Sequence, residues 1–184
     1  MAHGDTRTGK NALLDRVTAY LAEAGVGDQS LRQIATGAGT SHRMLIYHFG
    51  TRDGLLVEVV REVERRQRAA LADLTTTGNP REVAMAFWRR LSDPALAPHE
   101  RLFFELYGAA LAGRPGVAPV LDGIVYSWLD PVVGAFEGMS PADRRRRGRM
   151  VLAFVRGALL DLLATGDREE LDRVVTDFVD LVLG

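Results

Sequence analysis

Residues 30–49 read SLRQIATGAGTSHRMLIYHF, and this stretch decides the fold. Ser30, followed three residues later by Gln33, predicts a capping box, in which each side chain satisfies a backbone amide that the helix start leaves unpaired. Gly39 interrupts the pattern after about two helical turns. Because the alanines and glycines around this break allow close approach, the spacing predicts two short helices that meet at a steep angle, a helix-turn-helix.

The second short helix has one apolar and one polar side. Thr40 or Ser41 caps its start, and Leu45 and Phe49 form its inward pair. Its outward side carries groups that can donate to phosphates and base edges, and a methionine that can touch a thymine methyl group. These outward residues are Ser41, His42, Arg43, Met44, Tyr47 and His48.

Arg52 opens the following helix, where free backbone amides and a guanidinium both favour a phosphate. The pattern alone leaves two interpretations open, a DNA-reading surface or a plain helical corner built from the same small residues. The charge does not decide between them, because residues 1–56 carry six basic and five acidic side chains.

The other strong periodicities are also helical, so we predict an all-α fold with about nine helices. A long helix from Thr51 to Leu74 is apolar in its first half and polar in its second, which suits a connector between two subdomains. The clearest break follows at residues 75–80. Pro131 predicts a kink or a split in its helix. The remaining helices are predicted at Arg81–Leu91, Pro98–Ala112, Val117–Phe136, Pro141–Ala164 and Arg168–Leu183.

Composition narrows the class of protein. The 184 residues are 47% hydrophobic and carry a net charge of -1, which excludes a mainly disordered chain and a basic protein that coats nucleic acid indiscriminately. The absence of cysteine excludes disulfides and thiolate metal sites and fits a reducing cytoplasm. No stretch is apolar enough to span a membrane, and the polar residues 1–7 predict a mobile arm rather than a signal peptide.

Two apolar helices close the chain, and from their residues alone they form either core or a subunit interface. The first of them begins with the densest basic run, residues 144–149. This run invites a nucleic-acid role, but such runs are more often solvated or ion-paired surfaces. The acidic partners expected for it are Asp167, Glu169, Glu170 and Asp172.

Aromatic side chains are concentrated between the long helix and this final pair. Helical bundles rich in aromatics often hold a cavity, and ordinary core packing is the alternative. The aromatic residues are Phe87, Trp88, Phe103, Phe104, Tyr107, Tyr126, Trp128 and Phe136.

The stretch from Lys10 to Val57 resembles the DNA-binding domain of the tetracycline-repressor-like (TetR) family of regulators. The resemblance lies in LRQIA at 31–35, AGTS at 38–41 and LIYHFGTRDGLL at 45–56. The last motif is the most specific, because an aromatic-His-Phe-Gly run is followed by a polar, a basic and an acidic residue and then by Leu-Leu. The rest of the chain agrees with the family only in length and helix number.

This resemblance implies a DNA-binding domain at 1–56 and a ligand-binding and dimerisation domain at 57–184. Family members place the helix matching 41–49 in the major groove. Arg43-Met44 replaces a frequent Gly-Thr, so Arg43 can make a bidentate contact with a guanine. Ile46 replaces a frequent tyrosine, so this position either loses a phosphate contact or is buried more deeply. The implied DNA contacts are Ser30, Ser41, His42, Arg43, Met44, Tyr47, His48 and Arg52.

The resemblance also implies a homodimer formed by the last two helices and a pocket for a small, mostly apolar effector. No cofactor and no metal are expected. The interface is expected at Phe154, Val155, Ala158, Leu162, Val174, Val175 and Phe178. The pocket is expected at Trp88, His99, Phe104, Glu105, Tyr107, Leu111 and Trp128.

The implied function is a ligand-responsive DNA-binding transcriptional regulator, a homodimeric repressor that leaves a pseudo-palindromic operator when the effector binds. The alternatives are a helical protein-binding adaptor without DNA affinity and a small helical enzyme. The sequence contains no HExxH, Gly-rich phosphate loop or GxSxG motif, and its four histidines are scattered, so catalysis is not expected.

Overall fold

The computed structural model describes residues 3–75 and 79–183, and these residues form nine α-helices and no strand. The all-α prediction is confirmed. The helices α1 to α9 are His3–Ala24, Leu31–Gly37, His42–Phe49, Arg52–Thr75, Pro80–Leu91, Ala97–Leu111, Tyr126–Val133, Pro141–Thr165 and Arg168–Leu183. None of them has both the length and the hydropathy that a membrane-spanning helix requires.

Most predicted helices agree with the observed ones to within one residue at each end. The N-terminal arm is an exception, because α1 begins at His3 and residues 3–7 are helical. Met1 and Ala2 lie outside the described residues, as do residues 76–78 of the predicted break after the long helix.

The single helix predicted over Val117–Phe136 is wrong. A 3-10 helix at Pro115–Leu121 is followed by turns at 122–125, and α7 then leads into a second 3-10 helix at Gly134–Phe136. The chain therefore breaks before α7 rather than at Pro131.

Local chemistry explains where this break falls. Pro119 lacks the amide that a continuing α-helix needs, and Gly123 adopts a φ of 71°, a left-handed conformation that favours glycine. Pro131 lies inside α7, but that helix ends at Val133. Too little helix remains beyond the proline to form a kinked segment.

Packing divides the chain into two compact units. The first comprises Met1–Arg65 and Arg101–Asp122, and the second comprises Arg66–Glu100 and Gly123–Gly184. The functional boundary predicted at 56/57 stays a prediction, and the first packing unit extends along α4 to Arg65. Residues 101–111 of α6 also belong to the first unit, although they lie far along the chain.

The core of the first unit is built mainly from the apolar faces of its first four helices, and Leu106 of α6 and Val117 are also fully buried in this unit. The alternation of buried and exposed positions follows the helical period, as amphipathic helices require. Its fully buried side chains include Val17, Leu21, Ile34, Leu45, Leu55, Leu56 and Val59.

In the second unit, α5 is held to α9 by two polar contacts. Arg81 forms a bidentate ion pair with Asp180 at 2.6 and 3.1 Å, and Trp88 Nε1 donates to Asp172 Oδ1 at 2.6 Å. The pair α8 and α9 is joined by a ring stack between Phe154 and Phe178, whose centroids are 3.6 Å apart.

Candidate DNA-binding surface

The two caps of the helix-turn-helix fix where its helices start. Ser30 Oγ accepts from the Gln33 amide at 3.3 Å and the Ser30 amide donates to Gln33 Oε1 at 2.8 Å, which confirms the capping box. Ser41 Oγ accepts from the Met44 amide at 3.2 Å, so Ser41 is the cap of α3. Gly39 makes the turn between them with a φ of 63°.

The helix α3 turns its polar side to solvent. Leu45 and Phe49 are buried, as predicted, whereas Tyr47 is 69% exposed. Ser41, Arg43 and Met44 are also exposed, and His42 and His48 are half-buried. The predicted outward residues therefore share one accessible face.

Ile46 lies on this accessible side of α3 as well. Its side chain is 43% exposed, so of the two interpretations of this position, deeper burial is wrong. An exposed isoleucine contributes apolar area but no donor, and the surface has one phosphate-binding group fewer than a tyrosine there would give.

The aromatic rings on α3 are held against each other. Tyr47 and His48 meet edge to face, with centroids 4.8 Å apart and an interplanar angle of 77°. This contact limits the rotamers of both rings. The surface thus presents a guanidinium, a phenol and imidazoles on one helix, a set that can bind phosphates and base edges in a groove.

Arg52 does not reach outward as predicted. Its Nε donates to the Gln29 carbonyl at 2.5 Å and its Nη2 to the Gly27 carbonyl at 2.8 Å, and its side chain is only 18% exposed. Burial, and secondarily the nearby Arg114, lower the pKa of Arg52, although Asp53 partly opposes this. The predicted phosphate contact is replaced by a structural one, because the loop before α2 uses the guanidinium.

Lys10, the only lysine, links α1 to the rest of the first unit. Its Nζ lies 3.0 Å from Glu58 Oε2 on α4 and 5.5 Å from the ring centroid of Phe49 on α3. Burial alone would raise the pKa of Glu58, but hydrogen bonds from Lys10 and Arg61 outweigh it and lower that pKa. The lysine therefore fixes α1 against the helix-turn-helix.

One structural contact near the helix-turn-helix was missed by sequence reasoning. Glu105 on α6 accepts from the amides of Gly27 at 2.9 Å and Val26 at 3.3 Å. No local pattern announces it, because 78 residues separate Glu105 from Gly27. Both carboxylate oxygens of Glu105 accept from this loop, and its role as a ligand contact stays a prediction.

The predicted pocket residues divide between the two units. Phe104, Tyr107 and Leu111 lie on α6 in the first unit, and Leu111 is 63% exposed. In the second unit, Trp128 is buried beside Phe87, with ring centroids 5.9 Å apart.

Of the other two predicted pocket residues in the second unit, Trp88 is buried and His99 is half-buried. The indole N–H of Trp88 donates a hydrogen bond to Asp172. His99 Nδ1 is buried and has no hydrogen-bond partner among the described residues. Burial, and then the charge of Arg66, lower the pKa of His99.

The predicted interface residues on α8 and α9 also differ in accessibility. Ala158 and Val175 are buried within the chain itself, so the prediction that they meet a partner is corrected. The other predicted residues, Phe154, Val155, Leu162, Val174 and Phe178, are exposed or half-buried. Leu160 and Leu181 are exposed on the same helices but were not predicted.

The arginines of the basic run on α8 contact other groups than the predicted carboxylates. Arg146 pairs with Asp143, and Arg147 donates to the Val182 carbonyl at 2.5 Å. Arg145 and Arg149 lie over the ring of Tyr126. The predicted carboxylates are engaged within α9 or with α5: Glu169 and Glu170 pair with Arg173, the Asp167 side chain accepts from the Glu170 amide, and Asp172 accepts from Trp88.

The helix-turn-helix has a recognisable family. Residues 10–59 match the sequence model of a family described as bacterial regulatory proteins, tetR family. Residues 10–59 therefore carry the sequence pattern of this family. This family consists of regulators rather than enzymes, which agrees with the exclusion of catalysis made from the sequence. The match over this domain supports a DNA-binding transcriptional regulator.

Solved structures share this fold along nearly the whole chain. A transcriptional regulator from Rhodococcus sp. Rha1 has 21% identity and a TM-score of 0.80, with 95% of each chain covered. A TetR transcriptional regulator from Legionella pneumophila has 18% identity and a TM-score of 0.75, covering 94% of this chain and 95% of its own.

A third similar structure contains a ligand. It is a transcriptional regulator from Saccharomonospora viridis in complex with choline, with 17% identity and a TM-score of 0.75, covering 95% of this chain and 96% of its own. No curated protein sequence matches the chain. No group of three or more metal-ligating side chains occurs in the part of the chain that the structure describes.

Proposed function

We propose that the chain is a homodimeric repressor that binds a pseudo-palindromic operator and is released by a small, largely apolar effector. The observation that carries this proposal is the outward face of α3, where Arg43, Met44 and Tyr47 are exposed together on a helix whose other side is buried. Such a face fits the major groove, and its polar groups match base edges and phosphates.

Within that face we assign separate roles to the side chains. Arg43 reads a guanine, because a guanidinium binds O6 and N7 at once, and Met44 touches a thymine methyl group. Ser41, His42, Tyr47 and His48 contact phosphates or base edges, and Ser30 contacts a phosphate from the start of α2. The hydroxyl of Ser30 donates to Gln33 Oε1 at 2.7 Å, so a phosphate would take over that hydrogen bond.

Exposed apolar side chains support dimerisation through α8 and α9. Leu160, Val174 and Leu181 are 54%, 38% and 80% exposed. Leaving this apolar area in water is unfavourable, and a second subunit could bury it. A β-carbon added to Gly157 on α8 would meet nothing, so another helix has room to approach there. A two-fold contact of this face would present two reading helices to two half-sites.

Buried polar and aromatic groups support an effector site in the second unit. His99 has an unpartnered buried nitrogen, and Trp128 lies in aromatic contact with Phe87. The Saccharomonospora viridis regulator of similar fold binds choline, so a bundle of this kind accommodates a small molecule. We infer that His99 supplies a hydrogen bond to an otherwise apolar ligand.

The effector acts through α4 in this proposal. Residues 52–65 of that helix belong to the first unit and residues 66–75 to the second. A ligand can shift the protein between two states only by binding one of them more tightly. The release of DNA therefore requires that the effector favour an arrangement of α4 that misplaces α3.

Selection of bound duplexes from a random library tests this function. We expect recovered sequences to contain two inverted half-sites about one helical turn apart. Binding should weaken steeply as salt rises, since phosphate contacts release counterions. Failure to enrich any sequence, with no salt-dependent binding, would favour the protein-binding adaptor.

A further inference from the structure

The loop at residues 25–29, which leads into α2, is held from two sides. On one side, Arg52 of α4 donates to the carbonyls of Gly27 and Gln29 at 2.8 and 2.5 Å. On the other side, Glu105 of α6 accepts from the amides of Val26 and Gly27 at 3.3 and 2.9 Å. A cation therefore satisfies the carbonyls of this loop and an anion satisfies its amides.

The loop needs such restraint because of its own sequence. Gly25 and Gly27 have φ angles of 73° and 39°, in the left-handed region. Glycine loses more backbone freedom on ordering than any other residue, so this loop is intrinsically soft. Its conformation sets where Ser30 starts α2, and α2 in turn supports the reading helix α3.

A second contact joins the same parts of the first unit. Asp53, which follows Arg52, lies 3.9 Å from Arg114 in the segment after α6. A β-carbon at Gly116, in the same segment, would overlap the side chain of Asp53. The segment that follows α6 therefore packs closely against the start of α4, next to Arg52 and its hydrogen bonds to the loop.

From this arrangement we propose that Glu105 is a positioning residue for DNA recognition. It touches no DNA. It holds the loop before α2 in one conformation, so that α3 meets the groove already ordered, and it makes α6 an element that sets the position of the reading helices. This role rests on the proposed DNA-binding function of α3.

The expected effect follows from the cost of ordering a loop on binding. Without Glu105 the loop samples several conformations, and DNA binding must select one of them, which lowers affinity. Glu105→Ala removes both hydrogen bonds and should weaken binding to the selected duplex by roughly fivefold to tenfold, whereas Glu105→Gln keeps one acceptor and should lose roughly twofold to threefold. A lost phosphate contact would reduce the salt dependence, but here the slope should stay that of the parent.

The experiment measures duplex affinity at several salt concentrations for the full chain and these two variants. Glu137→Gln is the matched control, because it removes the same charge from an exposed residue outside the first unit. Amide hydrogen exchange is followed in parallel, and the amides of Val26 and Gly27 should exchange faster only in the Glu105 variants. Thermal midpoints establish that each variant is folded at the assay temperature.

The outcomes separate this inference from the proposed function. Weaker binding at an unchanged salt slope, with faster exchange at 26–27, supports the positioning role. If the parent binds the duplex and both Glu105 variants bind it like Glu137→Gln, the role is overturned while the DNA-binding function stands. A reduced slope would make Glu105 part of the DNA contact and would overturn it as well. If the parent itself selects no duplex, the proposed function fails first.

Discussion

The ring of Tyr20 on α1 fills the space that a β-carbon on Gly37 of α2 would need. The Tyr20 hydroxyl donates to Gln29 Oε1 at 2.6 Å, and Gln29 Nε2 donates to the Gly25 carbonyl at 2.6 Å. The ring therefore cannot move away without breaking a hydrogen-bonded chain. Through this contact α1 and α2 are seated on each other directly at the helix-turn-helix.

Gly37→Ala should lower the free energy of unfolding by about 1–3 kcal/mol, because the added methyl group displaces the Tyr20 ring. In a Tyr20→Ala background the same substitution should be neutral or stabilising by up to about 1 kcal/mol, since alanine is the better helix former. Urea unfolding of the four proteins gives this cycle. Gly108→Ala, at a helical position with open space, is the control. Equal costs in both backgrounds would contradict the steric account.

Arg43→Ala should change which sequences are bound. We expect the preference for one base pair in each half-site to relax, with a loss of about 1–3 kcal/mol on the parent's best duplex. The measurement is a second duplex selection with the variant. Arg101→Ala removes the same charge from an exposed position on α6 and should leave the selected sequence unchanged. Identical selections for all three proteins would show that Arg43 does not read a base.

Arg52→Ala should behave differently from a phosphate-contact variant. It breaks two hydrogen bonds to the loop at 25–29, so both the free energy of unfolding and the DNA affinity should fall. The salt slope should be retained, because the guanidinium is turned inward. The comparison is Arg43→Ala, which removes a guanidinium from the exposed side of α3 and should lose affinity with a shallower slope. A shallower slope for Arg52→Ala at full stability would restore the phosphate role.

Leu160→Arg should separate the subunits without unfolding them. A two-fold contact loses the leucine twice, which costs about 3–6 kcal/mol and raises the dissociation constant of the dimer at least about a hundredfold. Sedimentation across a concentration series measures this. Leu111→Arg alters another exposed leucine, on α6, and should leave the association as in the parent. A parent that is monomeric at all concentrations would refute dimerisation by this face.

His99 gives the stability a dependence on pH. Burial and Arg66 lower its pKa in the folded state below the ordinary value of 6.5. The folded state therefore favours the neutral imidazole. The contribution of His99 to the free energy of unfolding is complete above about pH 6.5 and is lost as the pH falls towards the lowered pKa. Urea midpoints at pH 8 and pH 5.5 should differ less for His99→Phe than for the parent. His42→Gln, on the accessible side of α3, should keep the parent's difference.

Local signals sufficed for much of the fold. The caps at Ser30 and Ser41, the inward pair Leu45 and Phe49, and the ends of α4 follow from helix chemistry within a few residues, and the structure confirms them. The family motif lies in the same region, because a helix-turn-helix is built almost wholly from contacts near in sequence.

Contacts between distant residues were beyond reach. The sequence favoured Arg52 as a phosphate ligand because a free helix start and a guanidinium suit an anion, but the loop carbonyls at Gly27 and Gln29 compete for the same donors. Glu105 has no neighbouring residue that suggests its role. Likewise, the periodicity of α8 and α9 indicates which positions are apolar, but it does not show that the side chains of Ala158 and Val175 are buried within the chain itself.

The pinned position of Lys10 has a practical consequence. Since the chain carries one ε-amine, a reagent that acylates amines has a single side-chain target, at the junction of α1 with Glu58 and Phe49. Neutralising that nitrogen would leave Glu58 paired with Arg61 alone and would loosen α1 from α4. A fluorophore attached there would report on the position of α1. Because Lys10 is the only lysine, the residue that links α1 to α4 is also the only side chain available for amine-directed spectroscopic labelling or for acetylation.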